Sequence, residues 1–382
     1  MRPCPVCGGE QHTKMFHRDF SGMSEIVPFS HYDVLQCDTC GMMFAGNIVE
    51  AMSLLRYYEL MSKYETSAFA AEQELNEVKI GSIHFILEDI SPTASVIDVG
   101  CGEGSLLRRL KKNGFQKLVG LEPSRKNCQT VQEHWGIRTI QGGLGEDVSA
   151  LAGETFDVVI LDGVLEHLLS VQDNLKQALQ YLAQDGKLCL FVPDVGVFPE
   201  ENDLYQQFSV EHINYFSIQS LKNLMRRFGM RCIHHGNAGE ALYTLWERDR
   251  FAGMDASSVL PVDTEGVRCM RLYLDRAKAL CEDLRRKLTL YRGRKIYLWA
   301  AGTHTATLYQ LGLLDGISVV AIIDSNANYQ GKTIYGVPVI APQELPARDT
   351  LPIIISSQLA QDAIHAQITE QMGLPNEVVW LY

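Results

Sequence analysis

The stretch that most constrains this chain is a short apolar strand that runs directly into a glycine-rich turn. Residues 95–99 form an apolar run that contains one acid, Asp98, and three glycines follow at alternate positions: Gly100, Gly102 and Gly104. An amphipathic helical pattern begins directly after them. Glycine has no Cβ, so the backbone can turn sharply there and approach a ligand closely. The pattern predicts the first unit of a Rossmann-like α/β fold, with a nucleotide site at its turn.

The acid at the end of the next predicted strand indicates which nucleotide fits. Glu122 directly follows the apolar run 117–121. A carboxylate there can accept hydrogen bonds from both ribose hydroxyls of an adenosine. The glycine spacing is G-x-G-x-G, whereas dinucleotide turns have G-x-G-x-x-G, which argues against NAD. D-x-G-C-G-x-G with a strand-end acid resembles the class I S-adenosylmethionine-dependent methyltransferases. A glycine turn that binds no ligand is the alternative.

Four of the ten cysteines form two C-x-x-C pairs near the start of the chain: Cys4, Cys7, Cys37 and Cys40. Each pair places two thiolates on one tight turn, and the glycine that follows frees backbone N–H groups toward sulfur. Two such turns make a Cys₄ site with no open position for water, so the site is structural. We expect zinc, with a redox pair or an iron centre as the alternatives. The lobe is short and buries little apolar surface, so the metal would supply much of its folding free energy.

Composition excludes several classes of protein. The formal net charge is −12, which disfavours a nucleic-acid partner, because binding to a phosphate backbone relies on Lys and Arg. No apolar run approaches the ~20 residues of a membrane span, and no signal-peptide pattern opens the chain. The clustered cysteines argue against a secreted disulfide scaffold. We expect a cytoplasmic protein with no membrane partner, and the sequence leaves the oligomeric state open.

Alternating apolar runs and helical patterns over residues 94–248 predict a single doubly wound unit. Its expected strands are 95–99, 117–121, 137–141, 156–161 and 187–192, followed by a hairpin-like pair, Met230 to His235 and Ala241 to Glu247. Before this unit, residues 48–90 look helical and are interrupted at 63–67, which is either a capped turn or a lid segment.

A long amphipathic helix is expected over residues 262–292, and a second, smaller Rossmann-like sheet follows it, with strands at 295–300, 318–323 and 351–356. Its turn has a single glycine, Gly302, so a separate NAD site is not expected. The amides of residues 303–305 could still hold a phosphate. The expected parts of the chain are a zinc-binding lobe with lid helices (1–75), a cofactor domain (76–248), a helical linker (249–292) and a substrate-binding domain (293–382).

Acid–base residues gather after the fourth and fifth predicted strands. Asp162 and Gly163 end the fourth strand, where the ligands of such sheets bind, and we expect them to flank the cofactor's sulfonium. His167 follows and either faces the pocket or packs under a loop. Glu211 and His212 lie on the loop after the fifth strand, where a neutral imidazole could remove a proton from a methyl acceptor and the carboxylate could orient it. The alternative is a surface loop with a merely hydrogen-bonded histidine.

The order of four features along the chain resembles that of the three-domain sugar C-methyltransferases, which methylate nucleotide-linked 4-keto-deoxysugars. The features are the C-x-x-C-G…C-x-x-C-G lobe, the D-V-G-C-G-E-G turn, E-H-x-x-Y-F-S after the fifth strand, and the Rossmann-like tail. In that family the histidine of the E-H pair removes the C3 proton, and the enolate takes the methyl group. The resemblance implies that His212 is the base, Glu211 its partner, Tyr64 a lid contact to substrate, and His167 a second pocket histidine.

Two departures from that family bear on the acceptor. Ser209 stands where members often have a tyrosine, and the tail turn reads A-G-T-H from Ala301 to His304 instead of an Ala/Gly/Lys-rich pattern. Another nucleotide sugar, or methylation at nitrogen or oxygen, therefore stays open. Two further readings are a zinc-containing rRNA methyltransferase, against which the net charge and the second sheet argue, and a non-catalytic protein that only binds the cofactor.

Overall fold

The computed structural model describes residues 1–25, 27, 29–48, 85–86, 88–146, 148–250, 260–345, 349–358 and 360–382. The strands are β1 His12–Asp19, β2 His31–Cys37, β3 Met43–Ala45, β4 Ser95–Val99, β5 Lys117–Glu122, β6 Arg138–Gln141, β7 Phe156–Asp162, β8 Leu182–Pro193, β9 Asn214–Tyr215, β10 Met230–Ala238, β11 Ala241–Arg248, β12 Lys295–Trp299, β13 Ser318–Ile323, β14 Thr333–Ile334, β15 Val337–Ile340, β16 Ile353–Ile355 and β17 Val378–Trp380. The named α-helices are α1 Ser105–Lys112, α2 Arg125–Trp135, α3 Val171–Ala178, α4 Ile218–Arg226, α5 Thr264–Thr289, α6 Thr303–Gln310 and α7 Gln361–Ala366. Tyr64 and the predicted lid lie outside these residues.

The central sheet has seven strands in the order β10-β11-β8-β7-β4-β5-β6. Strands β4 to β8 pair in parallel, and β11 and β10 add an antiparallel pair at one edge. The predicted doubly wound unit with its terminal antiparallel pair is thus confirmed. Side chains of β4 face two separate cores, since Val96 belongs to one and Ile97 to the other. Burial on both faces explains why the strand is apolar apart from Ser95 and Asp98.

A four-stranded sheet lies in the cysteine-rich lobe, in the order β1-β2-β3-β9. The first three strands come from the lobe itself and pair antiparallel. The fourth, Asn214–Tyr215, comes from the loop after β8 and pairs antiparallel with β3, Met43 opposite Tyr215. The loop that carries Glu211 and His212 is therefore anchored in the lobe's sheet. The sequence did not predict this sheet.

The long helix α5 begins at the lobe, with Asp263 as its N-cap. The Asp263 side chain accepts from the amide of Gly266 at 2.9 Å, which satisfies a backbone donor that a helix start leaves open. The Asp263 amide donates to the carbonyl of Cys40 at 2.9 Å. Helix α5 confirms the predicted helix and connects the second cysteine pair with the tail. None of the helices in the described ranges is both long and apolar enough to cross a membrane.

The tail forms a second sheet of six strands, in the order β14-β15-β13-β12-β16-β17. Strands β15, β13, β12, β16 and β17 are parallel, and only β14 runs antiparallel. The predicted smaller Rossmann-like sheet is confirmed. The carboxyl end of β12 leads into Ala300, which has a φ of 99°, a left-handed conformation that is rare for a residue with a Cβ.

Candidate functional site

The glycine turn after β4 adopts the conformation that its sequence predicts. Gly100, Gly102 and Gly104 have φ angles of 79°, 54° and 77°, a region that strains residues with a side chain. Glu122, at the end of β5, is 8% exposed. Its Oε2 accepts from the amide of Gly102 at 2.9 Å, and its Oε1 accepts from the amide of Ser124 at 2.9 Å. The carboxylate therefore lies against the turn, at the edge of the sheet where a ribose binds in related folds.

Buried acids near this turn provide a test of which cofactor fits. Asp98 is 2% exposed, and its Oδ1 has no hydrogen-bond partner among the described residues. Burial raises the pKa of the Asp98 carboxyl well above its usual range, and the carboxylates of Asp162 and Glu122 raise it further. A buried acceptor between two other acids suits a positively charged ligand group. S-adenosylmethionine carries an ammonium and a sulfonium, so the residues present fit it.

The other turns at this edge also agree with a ligand site. Gly163, after β7, has a φ of 68°, and its amide donates to the carbonyl of Phe191 at 3.0 Å. After β6, the Oε2 of Glu146 accepts from the amide of Gly143 at 2.9 Å, so this carboxylate closes its own turn. The turns after β4, β5, β6 and β7 thus line one edge of the sheet.

The structure brings His167, Glu211 and His212 together. His167 Nδ1 donates to the carbonyl of Glu211 at 3.0 Å, which places the proton on that nitrogen, because a carbonyl can only accept. The rings of His167 and His212 lie edge to face, with centroids 4.9 Å apart. The hydroxyl of Ser209 accepts from the amides of Glu211 and His212 at 3.2 and 3.0 Å. The three residues predicted from two distant parts of the sequence therefore share one pocket.

A fourth residue of this pocket, Glu166, received no role from the sequence. It is 3% exposed, and its Oε1 lies 3.8 Å from His167 Nε2. Burial raises the pKa of the Glu166 carboxyl to about 8, and the nearby carboxylate of Asp162 adds to the shift. The only signal in the sequence is an E-H pair directly after β7, which matches the later E-H pair at 211–212.

Two further residues hold these loops together, and no pattern in the sequence indicated either of them. Asn214 donates from Nδ2 to the carbonyls of Leu165 and Leu168 at 2.9 and 2.8 Å, which joins the two E-H segments. Arg2, two residues before Cys4, donates to Asn214 Oδ1 at 2.7 Å. It also donates to the backbone carbonyls of Ala45, Leu169 and Ile213. The cysteine-rich lobe thus supports the two E-H segments directly.

The four cysteines of the lobe form a compact sulfur cluster. Cys4 and Cys40 Sγ lie 3.6 Å apart, and Cys7 and Cys37 Sγ lie 3.4 Å apart. Tetrahedral zinc with Zn–S bonds of about 2.3 Å separates its sulfurs by about 3.8 Å. The amide of Gly9 donates to Cys7 Sγ at 3.3 Å, as expected for a thiolate in a metal-binding turn. All ten cysteines are free thiols. The cluster fits a zinc ion.

The turn of the tail domain repeats one feature of the cofactor turn. Asp324, which follows β13, accepts from the amide of Ala301 at 2.6 Å through Oδ2, much as Glu122 accepts from its own glycine turn. His304 is buried, and burial lowers its pKa to about 3, so the ring is neutral. It donates from Nδ1 to the carbonyl of Ser356 and accepts at Nε2 from the hydroxyl of Tyr382. Both ring nitrogens of His304 are therefore hydrogen-bonded, so the residue supports the turn and has no nitrogen left to act as a base.

The tail domain faces the loop that carries Glu211 and His212. Burial raises the pKa of Tyr329 to about 12, and the carboxylates of both Asp324 and Glu211 contribute. Arg18, fully buried on β1, joins the same regions by donating to the carbonyls of Phe208 and Thr303, each at 3.0 Å. Arg18 therefore joins the lobe, the loop before Glu211 and the turn of the tail.

Comparisons with known proteins agree with this geometry. A family model described as a methyltransferase domain matches residues 71–235, and a second, described as C2185-like, N-terminal, matches residues 292–379. The strand order and the glycine turn agree with the first match, which indicates a methyltransferase domain over residues 71–235.

Particular relatives cover parts of the chain. A C-methyltransferase, NovU of Streptomyces niveus, is 25% identical over 56% of this chain and 49% of its own length. A tRNA U34 carboxymethyltransferase of Cronobacter sakazakii is 31% identical over 46% of this chain and 56% of its own length. The chain thus spans about half the length of these curated relatives. A magnesium protoporphyrin IX methyltransferase of Synechocystis, solved with bound S-adenosylmethionine, aligns with a TM-score of 0.40 at 14% identity, over 53% of this chain and 99% of that one.

Proposed function

We propose that the protein uses S-adenosylmethionine to methylate a carbon atom of a nucleotide-linked keto-deoxysugar, at C3 beside a 4-ketone. The observation that carries this proposal is the group formed by His167, Glu211 and His212 at the carboxyl edge of the central sheet. A carbon acceptor has to lose a proton when it takes a methyl group, and imidazole is the commonest general base near neutral pH. The relative named as a C-methyltransferase supports the same choice.

The parts of the chain have separate tasks in this proposal. Residues 1–75 hold structural zinc and a lid that carries Tyr64, residues 76–248 bind the cofactor, 249–292 link the domains, and 293–382 bind the nucleotide of the acceptor. The electrostatic contact of Tyr329 with Asp324 and Glu211 supports an acceptor that lies between the tail and the catalytic loop.

The residues of the pocket account for the proton transfer. His212 takes the C3 proton, and the electron pair of the broken C–H bond moves onto the 4-keto oxygen as an enolate. Glu211 orients the base, and the Ser209 hydroxyl holds the backbone of both residues in place. His167 keeps its Nδ1 proton on the carbonyl of Glu211 and presents Nε2 to the pocket. The cofactor supplies an electrophilic methyl group on its sulfonium, to which the enolate carbon forms the new bond.

Glu122 is expected to set cofactor affinity. Loss of a bidentate, charge-assisted contact to the ribose costs on the order of 1.5–3 kcal/mol, so Glu122→Ala should bind S-adenosylhomocysteine at least about tenfold more weakly in calorimetry. Glu122→Gln keeps one acceptor oxygen for the amide of Gly102. It therefore shows whether the affinity is lost with the ribose contact or with the support of the glycine turn. Glu133→Ala, on the exposed face of α2, is the matched control. Unchanged affinity in Glu122→Ala would refute the assignment.

The proposal is tested with methyl-labelled cofactor and three acceptors. These are a nucleotide-linked 4-keto-deoxysugar, the same compound with a 4-hydroxyl group, and unmodified tRNA. We expect label only in the keto sugar, because the 4-ketone acidifies the C3 proton and the hydroxyl does not. Label in both sugars would indicate N- or O-methylation. Label in tRNA would indicate an activity like that of the tRNA-modifying relative and would contradict a sugar acceptor.

A further inference from the structure

One carboxylate and two imidazoles converge in the catalytic pocket. Glu166, His167 and His212 place one possible ligand atom each within 4.8 Å of one another. Two histidines and a glutamate are a donor set that catalytic zinc sites use. We propose that these three residues bind one divalent transition-metal ion, separate from the ion of the cysteine cluster, and that this ion inhibits the enzyme by occupying the base. The inhibition rests on the proposed function, whereas the binding does not.

Glu166 is the observation that points to a cation. Its side chain is 4% exposed, and Oε2 has no hydrogen-bond partner among the described residues. Its Oε1 faces His167 Nε2 at 3.8 Å, a distance too long for a hydrogen bond. A buried carboxylate oxygen without a donor is costly unless a proton or a metal ion satisfies it. A metal ion between Glu166 and His167 would bind the imidazole nitrogen together with the carboxylate, and binding through both carboxylate oxygens would also satisfy Oε2.

The orientation of His167 suits a metal ligand. Its Nδ1 proton is committed to the carbonyl of Glu211, so Nε2 is the nitrogen that can bind an ion. Histidines that bind metals almost always donate their other ring N–H to a carbonyl or carboxylate, which fixes the ring and its tautomer. In this pocket the residue that provides that carbonyl, Glu211, is the direct neighbour of the third ligand, His212.

The two ligand-bearing segments are fixed to each other before any ion arrives. The amide of Ile213 donates to the carbonyl of Glu166 at 2.8 Å, and Asn214 bridges to Leu165. Ligand atoms on a tetrahedral ion lie about 3.3–3.6 Å apart, so the cluster has to close by about 1 Å. His212 is half-buried, so its ring can turn to reach the ion, while the buried Glu166 and the hydrogen-bonded His167 stay in place. Three protein ligands leave a fourth position for water.

Isothermal titration of Zn²⁺ into the purified protein, with the cysteine cluster already loaded, tests the binding. We expect one further equivalent in the wild type, and affinity at least about tenfold lower in both Glu166→Gln and His212→Asn. His234→Asn, which breaks a surface pair with Asp89, is the matched control and should bind like the wild type. The half-buried His212 variant keeps the test valid if Glu166→Gln fails to fold.

Titration with Co²⁺ identifies the ligands. Binding at the pocket should give a weak visible spectrum without thiolate charge transfer, whereas exchange into the cysteine cluster would give intense thiolate bands. No further equivalent, or one that both variants retain, would overturn the proposal. Methyl transfer should be inhibited by Zn²⁺ in competition with the acceptor and restored by a chelator. If the further ion binds but metal-free protein methylates no keto sugar, the binding site stands and the proposed function falls.

Discussion

The turnover of the His212→Asn variant is expected to fall by a factor of about 10² to 10⁴, while the variant binds S-adenosylhomocysteine nearly as well as the wild type. Asparagine keeps the size and polarity of the side chain but has no basic nitrogen. The cofactor is already a strong electrophile, so the tasks left to the protein are alignment and removal of the proton. Steady-state turnover and calorimetry of the two proteins measure the two effects separately.

Controls separate this effect from general damage to the fold. His235→Asn changes an exposed histidine on β10 and should retain wild-type turnover. If the variant at His212 also retains turnover, the base is another group, with His167 and Tyr64 as the next candidates. A large loss of cofactor affinity would instead assign His212 to cofactor binding.

The Cys37→Ser variant is expected to yield insoluble or unfolded protein. Structural zinc contributes about 10–16 kcal/mol to the folding of small zinc-binding domains, more than a lobe of this size gains from apolar burial. Cys37 is fully buried and ends β2, and its partner Cys40 accepts the amide that starts α5. Loss of the ion therefore disturbs the lobe, the long helix and, through Arg2, the catalytic loops. Recovery of folded protein and metal analysis are the measurements.

The matched control is Cys232→Ser, which removes a half-buried thiol of β10 that lies far from the cluster in the chain. It should fold and retain its metal. Folded, fully active Cys37→Ser would contradict a structural Cys₄ centre. Correctly folded wild-type protein with less than about half an equivalent of zinc or iron would contradict it too.

The central and tail sheets were predictable because parallel strands covered on both faces are apolar throughout, a pattern that is visible locally. The glycine turn and Glu122 followed from the same local pattern. The largest boundary error was at β8, which begins at Leu182, where position 187 was expected. The additional residues of β8 include Asp185 and Gly186. They join the sheet through a shift in the pairing register next to Phe156, and no local sequence pattern indicates such a shift.

The lobe's sheet could not be predicted for two physical reasons. Strand β1 is mostly polar, and Arg18 is its only buried residue, so it lacks the alternation that marks a strand. Strand β9 has two residues, and its partner β3 lies far away in the chain. Arg2 and Asn214 were missed for the same reason, since the hydrogen bond between them spans 212 positions. Long-range contacts of this kind appear only once the chain is folded.

The measurement that tests the central claim most directly is hydrogen exchange at the acceptor without cofactor. The wild-type protein, incubated in heavy water with a nucleotide-linked 4-keto-deoxysugar, should exchange the C3 proton for deuterium, because His212 removes that proton to form the enolate. The His212→Asn variant should not exchange it. Exchange in both proteins would assign the base to another group. No exchange in either protein, while the wild type still transfers methyl groups to the sugar, would contradict carbon methylation and indicate transfer to nitrogen or oxygen.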